Sequence, residues 1–205
     1  MLTALKKGIA NLSISYPYFC QTNVLFNNIS STKLNIMELH TLTAISPIDG
    51  RYRNQVQNLE EYFSEYALIK YRVIIEIEYF FLLSDKGFFK ISAKTRKALK
   101  DIIDNFNIND AEEIKGIETT TNHDVKAVEY FIKNKMKDAD AATIMEWVHF
   151  GLTSQDINNT AIPLSWKHCM EYELLPAIIN LQNHLHTLAA GWKKISILAR
   201  THGQP

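Results

Sequence analysis

The sequence predicts an all-α protein, and three stretches carry this prediction. Apolar residues recur at helical spacing from Leu59 to about Leu83 without an intervening glycine or proline. A shorter amphipathic helix is predicted from about Ala93 to Asn105. Toward the end of the chain, apolar residues step by four and three in alternation, which is typical of a helix that packs along a partner helix.

Composition narrows the class of protein. Of 205 residues, 46% are hydrophobic and 21% are charged, which is enough for one large domain or two small ones. Lys plus Arg equals Asp plus Glu at 22 each, so no positive field favours nucleic acid or an anionic membrane as a partner. The two cysteines, Cys20 and Cys169, form no C-x-x-C pattern, which argues against a zinc site or a disulfide framework and favours a reducing cytoplasm.

No run of about 18 apolar residues occurs, so no membrane span is expected. Residues 1–36 contain no Asp or Glu and are rich in Asn, Ser and Thr. Pro17 and several polar residues interrupt the apolar part, unlike a signal peptide. We predict that residues 1–36 are a disordered or non-native extension and that Met37 is a more natural start.

The first informative loop is Ser46–Tyr52, a Pro and Gly turn that ends on Arg51 and Tyr52. The Arg51 guanidinium suits phosphate or carboxylate, and Tyr52 adds a hydroxyl and a ring face. The alternative is a surface ion pair without a ligand.

In the predicted helix over 59–83, the part from Val73 to Leu83 is apolar on nearly every side except at Glu76 and Glu78. This predicts burial against several neighbours. We expect Gly87 to end the helix. Farther on, Asp110 and Glu113 have the spacing of a capping box at a helix start.

The segment Thr119–Asp124 is predicted to be a loop, because β-branched residues and Asn are poor helix formers. A helix should follow it, with an apolar stripe through Val125, Val128, Ile132 and Met136. Asn122, His123 and Asp124 would then lie at a helix N-terminus, where unpaired backbone N–H groups favour anions. The alternative is capping by Asn or Asp, with His123 incidental.

A second junction of this kind spans Phe150–Asp156. A short apolar helix from about Thr143 meets Gly151, and the chain restarts as a helix on Thr153 and Ser154. Their hydroxyls could donate to a carboxylate beside the amides of the first turn, or could simply cap the helix.

A long helical run then continues to about Trp192, and we expect Pro163 and Pro176 to kink or break it. His149 and His168 are predicted to be satisfied core or interface histidines on apolar helices. His184 and His186 face apart and are not a metal pair. The four-and-three pattern runs through a heptad seam: Leu174, Ile178, Leu181, Leu185, Leu188 and Trp192. Such a seam needs a partner helix, which could lie in the same chain. Because few other long helices are predicted to receive it, we expect a bundle completed by other protomers or by further sequence.

The final segment, Ser196–Pro205, carries His202 on a Gly-Pro loop after an apolar run. A histidine can exchange protons near neutral pH, and the neighbouring Gly203 allows close approach of a ligand or backbone. This predicts an active-site segment with His202 as a proton donor.

Four candidate junctions in this order resemble the adenylosuccinate lyase family of the fumarase/aspartase superfamily. The resemblance covers Met37–Pro205, and its most specific parts are Thr121–Tyr130 and Arg200–Pro205. It is similar to the bacterial branch, in which Asn precedes the His-Asp pair, as Asn122 does here. The resemblance implies an N-terminal helical domain over 37–151, followed over 152–205 by the first long helix of an incomplete central helical bundle.

The resemblance also implies a function. Family members eliminate fumarate from adenylosuccinate to give AMP, and from the succinyl aminoimidazole carboxamide ribonucleotide, in purine biosynthesis. They are cytoplasmic homotetramers with shared active sites, and the reaction needs no metal or other cofactor. By resemblance, the residues that contact the substrate are Arg51 and Tyr52 for the phosphate, Asn122, His123 and Asp124 for the nucleotide, and Thr153 and Ser154 for a succinyl carboxylate.

By the same resemblance, His202 is the general acid that protonates the leaving amine, with His123 assisting. The base is a serine on a glycine-rich loop far downstream in the family, and no such loop follows Pro205. We therefore expect a truncated chain that has no lyase activity alone.

Two alternatives stay open. Argininosuccinate lyase, fumarase and aspartase share the bundle and the histidine loop, although they give no reason for a phosphate-directed Arg51 and Tyr52. The chain could instead be a non-catalytic helical oligomerisation module that uses the heptad seam and in which the polar loops are only caps.

Overall fold

The computed structural model describes residue 48 and residues 52–138 and 141–197, and every regular element in those ranges is helical. The all-α prediction is confirmed. Short 3₁₀ helices cover Gln57–Leu59 and Ala142–Trp147, and a π-helical turn covers Met170–Leu174. The α-helices are α1 Arg53–Val56, α2 Glu60–Phe63, α3 Glu65–Asp85, α4 Ala93–Asp104, α5 Ile108–Thr121, α6 Asp124–Asp138, α7 Ser154–Cys169 and α8 Leu175–Trp192.

Helix α3 is the centre of the fold. It packs against α2, α4, α5, α6 and α7, as expected for a helix that is apolar on nearly every side. Val73 and Ile77 are fully buried in a cluster that includes Phe131 and Ile132 of α6. A smaller cluster joins α3 to α7 through Tyr71, Ile157 and Ala161. α3 therefore fixes the positions of α6 and α7 relative to each other.

The prediction of one uninterrupted helix from Leu59 was wrong at its start. The chain leaves helical geometry at Ser64, whose ψ is 166°. The Ser64 hydroxyl donates to the Glu60 carbonyl at 2.6 Å and accepts from the Ala67 amide at 3.1 Å. Ser64 thus ends α2 and caps α3, and helical spacing cannot distinguish this role from that of an ordinary helical serine.

The predicted end of α3 is confirmed. Gly87 has a φ of +83°, and its amide donates to the Ser84 carbonyl at 2.9 Å. The following helix, α4, lies where it was predicted. The capping box before α5 was predicted three residues too late, because Asn107 is the cap and Asp110 is the acidic partner, whose carboxylate accepts from the Asn107 amide at 3.1 Å.

The prediction that Thr119–Thr121 form a loop was also wrong. All three residues complete α5. The Thr119 hydroxyl donates to the Gly116 carbonyl at 2.7 Å, so this side chain bonds to the preceding helical turn instead of competing with it. Only Asn122 and His123 separate α5 from α6. The four apolar positions predicted for α6 are all buried, which confirms that stripe.

The prolines do not break the last helical run. Helix α7 continues through Pro163, so of the two predicted effects, a kink or a break, the break does not occur there. The irregularity lies at the π-helical turn, where the Leu175 amide donates to the Met170 carbonyl, five residues back, just before Pro176. Pro176 therefore falls in the first turn of α8, where a missing N–H costs little.

All of the heptad seam except Leu174 lies on α8, which has no buried residue. Leu181 and Leu185 are 59% and 56% exposed, and Trp192 is 61% exposed. A helix of this kind is not held by propensity alone and normally packs its apolar side against another element. The expected partner helix for the seam stays a prediction. Within the described ranges, we find no helix whose length and apolarity would let it span a membrane.

Candidate active site

Two of the four predicted junctions meet in the structure. The start of α6 carries His123, and the start of α7 carries Ser154. The Nε2 atom of His123 lies 3.3 Å from the Ser154 hydroxyl oxygen. The two N-termini come together because α3 packs against both helices. Arg51 and His202 lie outside the described residues, and Tyr52 is 45% exposed ahead of α1.

Asn122 is the residue that turns the chain between the two helices. It ends α5 in the left-handed conformation, with φ of 51° and ψ of 32°. Asparagine tolerates this region better than most residues other than glycine. Asn122 was predicted at the N-terminus of α6, but it is the C-cap of α5, and its amide donates to the Glu118 carbonyl at 2.8 Å.

His123 is itself the cap of α6. Its carbonyl accepts from the Ala127 amide at 3.0 Å, and its ring Nδ1 accepts from the Lys126 amide at 3.2 Å. The capping alternative predicted Asn or Asp as the cap of α6, and this part of it is wrong because His123 is the cap. Because Nδ1 is an acceptor, the proton of the neutral ring lies on Nε2, which faces Ser154. His123 therefore presents a hydrogen-bond donor to the space between the helices.

Asp124 is an anchored carboxylate. Its Oδ2 lies 2.7 Å from Arg72 Nη2, and its Oδ1 accepts from the Val125 amide at 2.8 Å. Burial alone would raise the pKa of Asp124, but the Val125 N–H and the Arg72 guanidinium together hold that pKa below its usual value. Asp124 is therefore a carboxylate near neutral pH. This negative charge would repel a phosphate placed directly against it.

Arg72 is the functional candidate that the sequence reasoning missed. It lies on α3 with a side chain only 8% exposed, and its Nε donates to Asn158 of α7 at 2.9 Å. One buried guanidinium thus connects α3 to the first residue of α6 and to α7. The available signal was the one arginine of α3, directly before the apolar stretch that starts at Val73, because a buried cation requires a partner.

Thr153 caps α7. Its amide and its hydroxyl both donate to Asp156 Oδ2, at 2.8 Å and 2.7 Å. The capping alternative is confirmed for Thr153. Ser154, one residue on, is the hydroxyl that faces His123. A carboxylate at this helix start would meet the amides of the first turn and the positive end of the α7 dipole.

His149 and His168 both have partners, as predicted. His149 Nδ1 lies 2.5 Å from Glu76 Oε1, and His168 Nδ1 lies 2.9 Å from the Tyr71 hydroxyl. Burial lowers the pKa of His168. His149 is not on a helix, however. It occupies the turn before α7 with a φ of +61°.

The groups at the two helix starts have the chemistry that suits an anion. Within the described ranges, no group of three or more His, Cys, Asp and Glu side chains is arranged to hold a metal ion. The polar groups that converge are the Nε2–H of His123, the Ser154 hydroxyl and the first-turn amides of α7. All of them can donate hydrogen bonds to a carboxylate, and the Ser154 hydroxyl can also accept a hydrogen bond from a polar ligand.

Comparison with known proteins defines the class. A family model described as "Lyase" matches residues 50–205. The match covers most of the chain, and the chain belongs to this lyase family.

Similar curated proteins narrow the class further, because each is an adenylosuccinate lyase. The protein from Dictyostelium discoideum is 56% identical over 183 residues, covering 85% of this chain. Those from Vibrio cholerae and Escherichia coli K12 are 44% and 42% identical over 174 residues, covering 82% of this chain. The predicted resemblance to adenylosuccinate lyases is confirmed. The chain spans 39% of the length of the Dictyostelium relative and 38% of the bacterial ones.

Proposed function

We propose that this chain is part of an adenylosuccinate lyase, which eliminates fumarate from adenylosuccinate and from the succinyl aminoimidazole carboxamide ribonucleotide in purine biosynthesis. The observation that supports this best is the approach of His123 Nε2 to the Ser154 hydroxyl at 3.3 Å, between the starts of α6 and α7. Family membership and the named relatives supply the reaction class.

The reaction requires negative charge to be stabilised at one end of the substrate. A base removes the proton on the carbon beta to the amine, the electrons form the carbon–carbon double bond, and the C–N bond breaks. Charge builds on the carboxylate next to the deprotonated carbon. In our proposal Thr153 and Ser154 hold that carboxylate. Thr153 would act from the head of α7, where its hydroxyl and its amide fix its position by donating to Asp156.

The other end of the reaction requires a proton for the leaving amine. We assign His202 as the general acid. His123, with Nδ1 accepting from the Lys126 amide, would donate through Nε2 to the substrate. Asn122 and Asp124 would line the nucleotide, and Arg51 and Tyr52 would bind the phosphate. Because the chain spans 39% of its Dictyostelium relative, we propose that it supplies the general-acid half of the site and that other residues supply the base.

The assembled enzyme would be a homotetramer. Exposed apolar residues along α8, such as Leu181 and Leu185, would pack in its helical bundle. An alternative is favoured by the same exposed seam: a non-catalytic helical oligomerisation module. Such a module would associate through α8 but would not depend on any histidine.

A chimera tests the proposal. This chain would replace the matching segment of the Dictyostelium enzyme, and fumarate release from adenylosuccinate would be followed by ultraviolet absorbance. We expect turnover in the chimera and none with the 205-residue chain alone. Substituting His202→Gln should lower kcat by about a hundredfold or more, and His123→Gln should also lower it.

The matched control is His186→Gln, which makes the same change on the exposed surface of α8. It should leave fumarate release within about twofold, as expected for a surface change away from a site. Equal activity in the His202, His123 and His186 variants would reject the enzymatic assignment and favour the oligomerisation module. Turnover by the 205-residue chain would reject the proposed division of the site.

A further inference from the structure

The turn that precedes α7 has an unusual backbone. Between the 3₁₀ helix Ala142–Trp147 and the Thr153 cap, His149 has a φ of +61° and Gly151 a φ of +71°. Glycine adopts this region freely, but a histidine there is uncommon and is kept by its surroundings. We call residues 148–152 the α7 turn. Its conformation decides where Thr153 and Ser154 begin the helix.

Helix α3 holds this turn with two side chains. Glu76 Oε1 lies 2.5 Å from His149 Nδ1, and the Tyr79 hydroxyl donates to the Phe150 carbonyl at 3.0 Å. Residues three apart on a helix share a face, so the two contacts come from one side of α3. The first holds a side chain of the turn, and the second holds its backbone.

Aromatic packing restrains the start of the turn. The ring centroid of Trp147 lies 4.6 Å from that of Phe150 and 5.4 Å from that of Phe89. Aromatic contacts of this kind limit how the turn can move as a body. They do not specify the rotation of the His149 or Phe150 peptide groups. The hydrogen bonds from α3 therefore carry that specificity.

The charges around Glu76 make its bond to His149 hard to replace. Glu76 is 0% exposed. Burial raises the pKa of Glu76, while the hydrogen bond that His149 makes to the Glu76 carboxylate raises the pKa of His149, so the pair retains a proton. The other charged groups that act on the pair are Glu129 and Lys126 of α6, while Tyr79 of α3 interacts with Glu76 and with Asp156 of α7.

Glu129, Lys126 and Asp156 already have other partners. Glu129 lies 2.8 Å from Lys126 Nζ and 3.0 Å from Lys133 Nζ, and Asp156 accepts from Thr153. His149 is therefore the partner of Glu76 Oε1, whereas Glu76 Oε2 is buried and has no hydrogen-bond partner in the described part of the chain. Removing either member would leave a buried polar group without its partner.

We propose that Glu76 and Tyr79 are positioning residues that fix the α7 turn and thereby hold Thr153 and Ser154 against His123. Neither residue was predicted to have a role at the site. Their effect on a substrate rests on the proposed function, but their effect on the geometry of the α7 start does not. The two can therefore be tested separately.

The geometric test uses the 205-residue chain, with ¹⁵N labelling and NMR. Tyr79→Phe removes the hydrogen bond to Phe150, and Glu76→Gln removes the negative charge that faces His149, each with little change in size. We expect both variants to shift the amide signals of Thr153 and Ser154 and to broaden or move the His123 ring signals. Glu76→Gln should also shift the titration of His149 to lower pH, because the carboxylate that raises its pKa is gone.

Each variant has a matched control on the same helix. Glu78→Gln makes the same change at a half-buried glutamate that interacts with Lys100 and Arg96. Tyr66→Phe removes an equivalent 3.0 Å bond, from a tyrosine hydroxyl to the Phe106 carbonyl. Both controls should leave the Thr153 and Ser154 signals unchanged. If Glu76→Gln fails to fold by circular dichroism, Tyr79→Phe decides the question.

A kinetic measurement on the chimera forms the second arm. Tyr79→Phe should lower kcat/KM for adenylosuccinate on the order of tenfold, whereas Tyr66→Phe should not, because small displacements of binding groups have large effects on rate. Unchanged Thr153 and Ser154 signals in both test variants would overturn the positioning role. An inactive parent chimera would count against the proposed function instead, and the NMR result would still decide the geometry.

Discussion

Arg72, buried in α3, places its Nη2 atom 2.7 Å from Oδ2 of Asp124, the first residue of α6. This pair connects the centre of the core to the helix start that carries His123. Because the carboxylate is 46% exposed, the pair is neither a surface ion pair nor a fully buried one. It links the stability of the fold to the position of the site.

We first predict that Arg72→Met destabilises the protein by about 2 kcal/mol, less than the loss expected when a fully buried pair is broken. The reason is that Asp124 and Asn158 both lose their charged donor. Urea unfolding would measure the change. Lys115→Met breaks a more exposed pair with Glu65 and should cost no more than about 1 kcal/mol. Equal losses in the two variants would contradict the prediction.

A second prediction concerns acid. The pKa of Asp124 is lowered in the folded protein, so its stabilising effect is present above the unfolded pKa and is lost as pH falls through the folded value. The wild-type protein should therefore be more stable than Asp124→Asn near pH 6. The difference should shrink below about pH 4, the ordinary pKa of aspartate.

Denaturant unfolding of both proteins across this range would provide the data, with Glu65→Gln as a control at an exposed pair. A difference that grows on acidification would have the wrong sign and would reject the assignment.

The third prediction concerns the protonated nitrogen of His123. With Nδ1 accepting from the Lys126 amide, the neutral ring should carry its proton on Nε2. Two-bond ¹⁵N–¹H spectra of histidine-labelled protein distinguish the two tautomers, and exposed His186 on α8 gives a reference ring. A protonated Nδ1 in the neutral form of His123 would show that the capping bond is absent.

The fourth prediction concerns α8. Its exposed apolar residues should cause self-association, so a Leu181→Asp, Leu185→Asp double variant should sediment at a lower mass than the wild-type chain. Gln182→Asp with Asn183→Asp adds the same charges at exposed polar positions and should leave the mass unchanged. Identical behaviour of the two double variants would mean that the seam does not drive association.

Local patterns predicted much of this fold because several signals are complete within a short stretch. The stripe from Val125 to Met136 identified α6, and Gly87 identified the end of α3. Ser64 was missed because a serine suits both a helix surface and a cap. Thr119–Thr121 were missed because β-branching disfavours a helix only weakly, and hydroxyl bonding to the preceding turn offsets it.

The site was predicted in part. The histidine and serine junctions were found from helix-start chemistry, but their approach to each other depends on how α6 and α7 pack on α3. Arg72 and Glu76 act across 52 and 73 residues of sequence. The helical periodicity of the sequence does not indicate which distant residues will be partners. Their roles follow only from knowing which helices are neighbours.

The two-residue link between α5 and α6 also limits how the chain length can vary. Asn122 and His123 leave no spare residue, so an insertion there would rotate His123 away from Ser154 or unwind a helix end. The connection from Lys86 to Ser92, between α3 and α4, is longer, and its Phe89 packs on Trp147 and Phe80. Added residues should be accepted more readily beside Lys86, between α3 and α4, than between α5 and α6, so the link that carries His123 is the less free of the two to change in length.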